Sequence, residues 1–471
     1  MVDNGSMPDR AEPSLSPDWV DSILLAGDDA DVCLHLDSPV TRARLRELVA
    51  ARQAELEGHG VRAGGAVALR LPPSLAFVTN LLASWRIGAQ TTLLDYRLTQ
   101  FEIERALERV GAQVMVEAKA IPGGPLRAFF DVDEVIVTRE GRPAATPHAV
   151  IQLSSGSTGP SKVIGRTAAN LVEEINRYVQ IDGVPREGER IVCLASMVHV
   201  LGLVGGLLYG LHAGVQLAVP ERLTVDAILA AVAASERPTT LLGVPFHIEL
   251  LASVAQPPKV PQLTGMTTGG ELVRAEVHEA FVDRYGVRLG NMYGMTEVGV
   301  IATDLFAQHR PAVAPAPGLA VREEDGELLV SVPASPYIGL SDPTRWVDGW
   351  LHTKDAGTVE EATGLFTVRG RLDSQVSVGG LKVDLMEVEH TLAALPEVAS
   401  AVVVFDGGIE AYVVLSDQDG ADRIDEVLVS RLAAYKRPRV VHLVEQLPRT
   451  ATGKLVRDRS ALRAAEPKPS P

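Results

Sequence analysis

Between Ile151 and Thr167 the chain reads IQLSSGSTGPSKVIGRT, and every residue from Ser154 to Lys162 is Ser, Thr, Gly, Pro or Lys. The apolar run Ala149-Val150-Ile151 precedes it. A strand that spills into such a loop presents backbone N–H groups, hydroxyls and one cation to an anion. That is the chemistry of a phosphate cradle. It is not a Walker loop: Gly156 and Gly159 lie three apart, and Lys162 follows Ser161 rather than glycine.

Four further clusters follow in order: Met292-Tyr293-Gly294-Met295-Thr296-Glu297, His352-Thr353-Lys354-Asp355, Gly370-Arg371-Leu372-Asp373, and Pro448-Arg449-Thr450-Ala451-Thr452-Gly453-Lys454. Together with the cradle, their order and separations resemble the AMP-forming adenylating superfamily of acyl-CoA synthetases, aryl-acid ligases, luciferases and adenylation domains. The resemblance runs from about Pro39 to about Asp458.

It implies activation of a carboxylic acid by ATP to an acyl-AMP, then transfer to a thiol. Such chemistry asks a protein mainly for positioning and charge neutralisation. By the resemblance, Ser154, Ser155, Ser157, Thr158 and Lys162 would hold the β- and γ-phosphates. Tyr293 would lie against adenine, with Gly270 and Glu271 of a Gly-Gly-Glu loop at the adenine edge. Thr296 would donate to the α-phosphate, and Glu297 would bind Mg²⁺, a hard ion that prefers oxygen ligands. Asp355 would accept both ribose hydroxyls, and Arg371 would reach ribose or phosphate. The family has glycine where Lys354 precedes that aspartate, so this chain must form the local turn with a side chain present. Lys454 would bridge acid, phosphate and ribose during adenylation only, as a flexible point charge can.

The same resemblance makes Asp373 a hinge and Gly379-Gly380 the lining of a channel for a pantetheine arm, where a thin chain must pass close to backbone. His199 would be the gate at the end of the acid pocket, followed by Val200 and Gly202. No carboxylate follows that gate to meet an amino acid's ammonium, and an unpaired buried ammonium is costly. Gln152 before the cradle and Gly165-Arg166-Thr167 after it look like the aryl-acid branch. Asparagine follows the gate histidine in relatives that take 2-hydroxybenzoates; here Val200 does. A largely apolar aryl, alicyclic or acyl acid is expected, bulky where glycines make room. The expected acceptor is coenzyme A or a carrier protein's phosphopantetheine, with a ligase specialised for one half-reaction as the alternative. Two rivals are an adenylate-binding protein without catalysis and a membrane-embedded carrier.

The elements that must position these groups read as follows. Apolar positions at helical spacing in Val40–Gly60, a strand over Ala66–Leu71, a helix over Leu75–Gly88 and a strand over Thr91–Leu94 open a βα alternation. It continues through Val114–Val116, Glu134–Val137, Thr240–Val244 and Gly265–Thr268, and predicts parallel sheets covered by helices. From Gly318 short alternating strands suggest a small β-barrel-like layer. After Asp373 a helix over Leu381–Leu395, strands at Ala399–Phe405 and Ala411–Leu415, a helix over Ile424–Leu432 and a strand at Val440–Leu443 form an α+β unit. The expected fold is α/β: a large N-terminal domain over residues 1–372, with 1–16 read as disordered, and a small mobile C-terminal domain over 373–471.

Composition narrows the partners. The 471 residues, 46% hydrophobic, can bury a substantial core. A net charge of −16 argues against nucleic acid or an anionic membrane. The last 41 residues nevertheless carry +7, which suits a mobile piece that meets phosphates. Two cysteines and no signal-like leader lead us to expect a reducing cytoplasm. Ile191–Pro220 contains no charged residue, but its glycines and histidines favour a buried strand–helix unit over a membrane span.

Overall fold

The computed structural model describes residues 16–121, 126–154, 162–270, 272–339, 342–372, 374–416, 421–448 and 455–464. Two sheets dominate. The first runs, in spatial order, through the strands Ala314–Pro315, Gly299–Asp304, Arg288–Met295, Leu263–Gly269, Thr239–Gly243, Arg190–Cys193, Gln216–Ala218, Val32–His35 and Pro39–Thr41. The second runs through Tyr337–Ile338, Lys162–Arg166, Val150–Ser154, Gln90–Leu93, Ala66–Arg70, Val114–Ala118 and Glu134–Thr138. Pairing is parallel in the middle of both sheets and antiparallel at their ends. The central strands are buried along their length, as parallel strands covered on both faces must be.

The helices between them start and stop where their sequences direct. Ser74 caps Leu75–Ile87 by accepting from the Phe77 N–H, and Gly88 ends it at φ 82°. Thr99 and Glu102 form a capping box at Gln100–Val110, and Thr167 and Asn170 form another at Ala168–Gln180. Apolar faces of Arg42–Gly58, Leu75–Ile87 and Ala168–Gln180 meet the segment Leu201–Ala213 in the largest core, which contains Leu45, Trp85, Ile175 and Leu207.

The uncharged stretch from Ile191 resolves into the strand Arg190–Cys193, a π-helical turn over Leu201–Leu208, the helix Tyr209–Ala213 and the strand Gln216–Ala218. Among the described residues no helix is long and apolar enough to cross a membrane. Beyond it, Val321–Glu324, Glu327–Ser331, Trp350–Val359, Trp346–Val347 and Phe366–Arg371 make the expected small β layer.

The C-terminal region differs from expectation at its start. Leu381–Asp384 is a strand paired with Gln375–Val378, and the helix begins only at Leu385, with Asp384 as its cap. The turn at Gly379-Gly380 closes this ribbon before helical spacing can take hold. The strands Val398–Phe405, Ile409–Leu415 and Val440–Leu443 follow, covered by Leu385–Ala393 and Ala421–Arg431 around a separate core of Val388, Leu392, Val403 and Leu428.

Candidate active site

Six parallel strands of the two sheets end at one cavity of about 830 Å³. Leu94, Leu153, Leu194, Val244, Gly270 and Tyr293 mark those ends. Open α/β sheets bind ligands at the carboxyl ends of their strands because loops and unpaired amides collect there. The ribbon Gln375–Asp384 forms part of the opposite wall.

At one side, Asp355 lies buried on the strand Trp350–Val359. Its carboxylate accepts from the Tyr293 phenol at 2.6 Å and from the Arg371 guanidinium at 3.1 Å. Arg371 also donates to the Thr353 carbonyl at 3.1 Å, and the Thr353 hydroxyl receives the Asp355 N–H at 3.0 Å. Burial, then the Asp355 charge, pushes the Tyr293 phenol well above its ordinary pKa, so it remains a donor. Lys354 adopts the left-handed conformation, φ 61°, that glycine favours. Glu327 accepts from the Lys354 N–H at 2.8 Å and from its ammonium at 3.2 Å, and faces His352 at 3.2 Å. Lysine in place of the family's glycine thus keeps the turn through an acid on the neighbouring strand.

The turn after Arg288–Met295 carries Thr296 and Glu297 into the cavity. Tyr337 donates to one Glu297 oxygen at 2.9 Å. It stands on a strand paired with Lys162–Arg166, so the same strand pair supports both this carboxylate and Lys162. Beneath the turn, Glu174 accepts from the Val300 N–H at 2.9 Å and pairs with Arg166 at 2.6 Å. Gly299 has φ 90°, and a Cβ there would stand 2.1 Å from the Glu174 carboxyl carbon. Because Arg166 and Val300 already engage Glu174, this buried carboxylate is not offered to a substrate ammonium.

Among the described residues no group of three or more His, Cys, Asp or Glu could hold a metal ion. The donor set nevertheless fits Mg²⁺. That ion keeps several waters and takes one or two carboxylates plus substrate phosphates, and Glu297 has a second oxygen beyond the one Tyr337 holds.

Lys162 is buried at the start of its strand. Ser154 ends the preceding strand. Ser155, Ser157, Thr158, Glu271, Asp373 and Lys454 lie outside the described residues, as does the side chain of Ser154. Gly270 follows Leu263–Gly269 at φ 101°, and its carbonyl accepts from Lys382 of the ribbon at 3.1 Å.

On the other side His199 and Val200 line the cavity, the backbone held by Gln152, which donates to the Val198 carbonyl at 2.6 Å. Burial lowers the His199 pKa against a smaller upward pull from Asp95, whose nearest oxygen is 3.9 Å from Nε2. The ring is therefore neutral at pH 7. Burial opposes ionisation of Asp95, but bonds from Arg97 at 2.8 and 2.5 Å more than offset it and hold the carboxyl below its usual range. Gly202 does not line the cavity. A Cβ there would meet the Ser196 carbonyl oxygen at 2.4 Å, so glycine lets this turn of the π-helical segment pack against the Ala195–Ser196 loop.

Gly379 and Gly380 both line the cavity with positive φ, 58° and 81°. A Cβ on Gly380 would fall 2.7 Å from a Val244 methyl, so glycine permits this close approach. Lys436 fastens the same region. Its buried ammonium donates to Glu102 at 2.8 Å and to Glu387 at 3.0 Å. Neighbouring Tyr435 lies 5.4 Å from the Arg97 guanidinium. Tyr337, Glu174, Glu327 and Lys436 escaped the sequence reading because each acquires its partner through topology, and Asp95 and Arg97, bonded two residues apart, because they belong to no motif.

Residues 27–333 match the model of the AMP-binding enzyme family, and residues 387–454 match that of the AMP-binding enzyme C-terminal domain. The chain belongs to the AMP-binding enzyme family. Among its relatives, a feruloyl-CoA synthase of Amycolatopsis sp is 29% identical, over 90% of this chain and 94% of the relative. A 4-coumarate–CoA ligase of Oryza sativa subsp. japonica is 26% identical, over 86% and 83%. An o-succinylbenzoate CoA synthetase from Bacillus subtilis, bound to a product analogue, shares the fold. Its TM-score is 0.81 at 22% identity, over 96% of this chain and 99% of that one.

Proposed function

We propose that this chain is an ATP-dependent, AMP-forming acid–thiol ligase whose substrate is an aryl carboxylic acid and whose acceptor is coenzyme A. One observation carries it. A single cavity joins the Asp355–Arg371 corner and the Thr296–Glu297 turn to a neutral histidine and to Gly379-Gly380. The aryl-CoA-forming activities named for the relatives support the substrate class.

In the first step an acid oxygen attacks the α-phosphorus of ATP, and the bond to the β-phosphate oxygen breaks, releasing pyrophosphate. Asp355 would accept the ribose hydroxyls, a task for two carboxylate oxygens, and Arg371 and Tyr293 hold it oriented. Thr296 would donate to the α-phosphate. Mg²⁺, held by Glu297, would supply charge neutralisation on the phosphates. Lys454 would add the cation that makes the step fast.

In the second step the thiolate sulfur attacks the acyl carbon, the carbon–oxygen bond to AMP breaks, and the thiol proton passes to solvent. Neutral His199 would gate the thiol's approach, and Gly379-Gly380 would flank the pantetheine. The docked ribbon fits this second step. Adenylation would require the part after Asp373 to turn about that residue and deliver Lys454, with domains at residues 1–372 and 373–471. Two buried free cysteines fit a reducing cytoplasm.

The test is to incubate the purified chain with ATP, Mg²⁺ and benzoate-, cinnamate- and salicylate-type acids, with and without coenzyme A. Pyrophosphate and acyl-AMP without the thiol, and AMP with acyl-CoA in its presence, are expected. Pyrophosphate release with no aryl acid at all would overturn the reading.

A further inference from the structure

One buried histidine on the cavity wall takes no part in either step. His247, 4% exposed, stands in the first turn of the helix Pro245–Ala252, just past the carboxyl end of the strand Thr239–Gly243. Its Nδ1 accepts from the Val244 N–H at 3.1 Å and so caps that helix. A Cβ on Gly243 would stand 2.9 Å from Nδ1, so glycine is what lets the ring lie on the strand end. Phe246 packs edge-to-face with it, ring centroids 5.6 Å apart. Backbone on one side and packing on the other fix the imidazole in one place.

The other ring nitrogen is unused. Burial lowers the His247 pKa to about 4, so the ring is neutral at pH 7. A neutral imidazole whose Nδ1 accepts carries its proton on Nε2. Among the described residues nothing accepts from that N–H. Nε2 is not sealed in the core either, and because this buried residue lines the cavity, its open edge is the cavity edge. A rigid, uncharged donor without an acceptor on a binding wall is completed by the ligand. Its place narrows the ligand. Val244, whose N–H the ring holds, is the residue that Gly380 approaches so closely. The donor therefore stands by the Gly379-Gly380 turn, whereas the acid is assigned to the wall at Val200 and the nucleotide to the Asp355 corner.

We propose that His247 seats the acceptor's arm, its Nε2–H donating to an amide carbonyl of the pantetheine beside Gly379-Gly380. This rests on the thiol-ligase reading above. Each amide of the arm has a carbonyl that needs a donor once it leaves water, and a neutral donor supplies it without the cost of burying a charge. Free coenzyme A and a carrier protein present the same arm, so the contact would serve either.

The variants must keep the helix cap. Asn170 and Glu102 provide it at the same position of their own helices, accepting from the Thr167 N–H at 3.0 Å and the Thr99 N–H at 2.9 Å. His247→Asn and His247→Glu therefore retain the capping acceptor and lose the donor at the reach of Nε2, while His247→Gln keeps both. Thioester formation from supplied acyl-AMP is measured with coenzyme A, pantetheine and 2-mercaptoethanol, with melting temperatures alongside. His247→Asn and His247→Glu should raise KM for coenzyme A and for pantetheine by a common factor, about two- to tenfold, the worth of one neutral hydrogen bond. The loss should spare kcat and the KM of acid and ATP in pyrophosphate release. Reaction with 2-mercaptoethanol, which has no amide, should match the wild type, and His247→Gln should recover part of the loss. An unchanged thiol KM, a loss confined to coenzyme A, an equal loss with 2-mercaptoethanol, or a raised KM for the acid overturns the proposal. Failure of the ligase reading is distinct: no acid releases pyrophosphate in the wild type, whatever stands at position 247.

Discussion

The two sides of the cavity are built on different principles. Around Asp355 every polar group is tied to another: Tyr293 and Arg371 to the carboxylate, Thr353 to its backbone, Glu327 to Lys354. Around Val200 the neighbours Met197, Val198 and Leu201 that line the cavity are apolar, and neutral His199 stands 3.9 Å from Asp95, short of a hydrogen bond. The first side suits a ligand that never changes, since a satisfied network fixes one geometry and penalises any other. The second suits selection by shape, where a methylene or a missing donor shifts preference.

Breaking the first side should therefore cost far more than altering the second. Lys454, whose role is proposed and whose place lies outside the described residues, gives the largest expected effect: Lys454→Ala should lower adenylation by about 10²–10³-fold, the scale of removing one preorganised charge contact, while thioester formation from supplied acyl-AMP is spared. Rapid-quench assays of each half-reaction check this, and equal loss in both would defeat the alternating assignment. Glu297→Gln keeps the size but loses the charge, and should raise the Mg²⁺ requirement of adenylation about tenfold or more. Acid binding by calorimetry should be unmoved.

Val200→Asn probes the other side. An apolar wall leaves an ortho-hydroxyl without a partner, at about 1–3 kcal/mol, so the variant should shift the salicylate-to-benzoate ratio of kcat/KM by about tenfold. An untouched ratio would show that this wall does not read the ring. Tyr337→Phe should cost less, about three- to tenfold in Mg²⁺ affinity measured with a non-hydrolysable ATP analogue, because one neutral hydrogen bond contributes about 0.5–1.5 kcal/mol. Smallest in activity, Glu327→Ala should reduce stability by about 1–3 kcal/mol, through left-handed Lys354 losing the acid that holds it. Thermal unfolding of Glu327→Ala, and of Glu327→Ala/Lys354→Gly, in which part of that loss returns, separates turn strain from simple loss of an ion pair.

Much of the first side was legible in the sequence because its residues travel in motifs: Tyr293 with Thr296 and Glu297, Asp355 after Thr353. The strands beneath them announced themselves by apolar runs such as Ala66–Leu71. The supporting residues did not. Tyr337 reaches Glu297 across 40 positions of chain, and Glu174 reaches Val300 across 126. Gly202 was misjudged for a related reason. A glycine that clears a ligand and one that clears the Ser196 carbonyl look alike until the π-helical segment is placed on its neighbouring loop. Leu381–Asp384 carried a periodicity that a helix and a short buried strand share, and the ribbon's pairing decided it.

Lys436 gives the joint between the two parts of the chain a particular mechanical quality. A buried lysine shared by Glu387 of its own region and Glu102 across the joint has a sharply defined position, yet Glu102 and the Lys436–Glu387 pair both regain hydration once the two parts separate. Undocking would thus exchange one set of favourable contacts for another of similar worth, whereas an apolar interface of equal extent would resist every separation. In the proposed cycle the C-terminal region must arrive in register and leave again at each turnover. A contact that is exacting in place and nearly neutral in net energy behaves as a detent, holding the part until the next step draws it on.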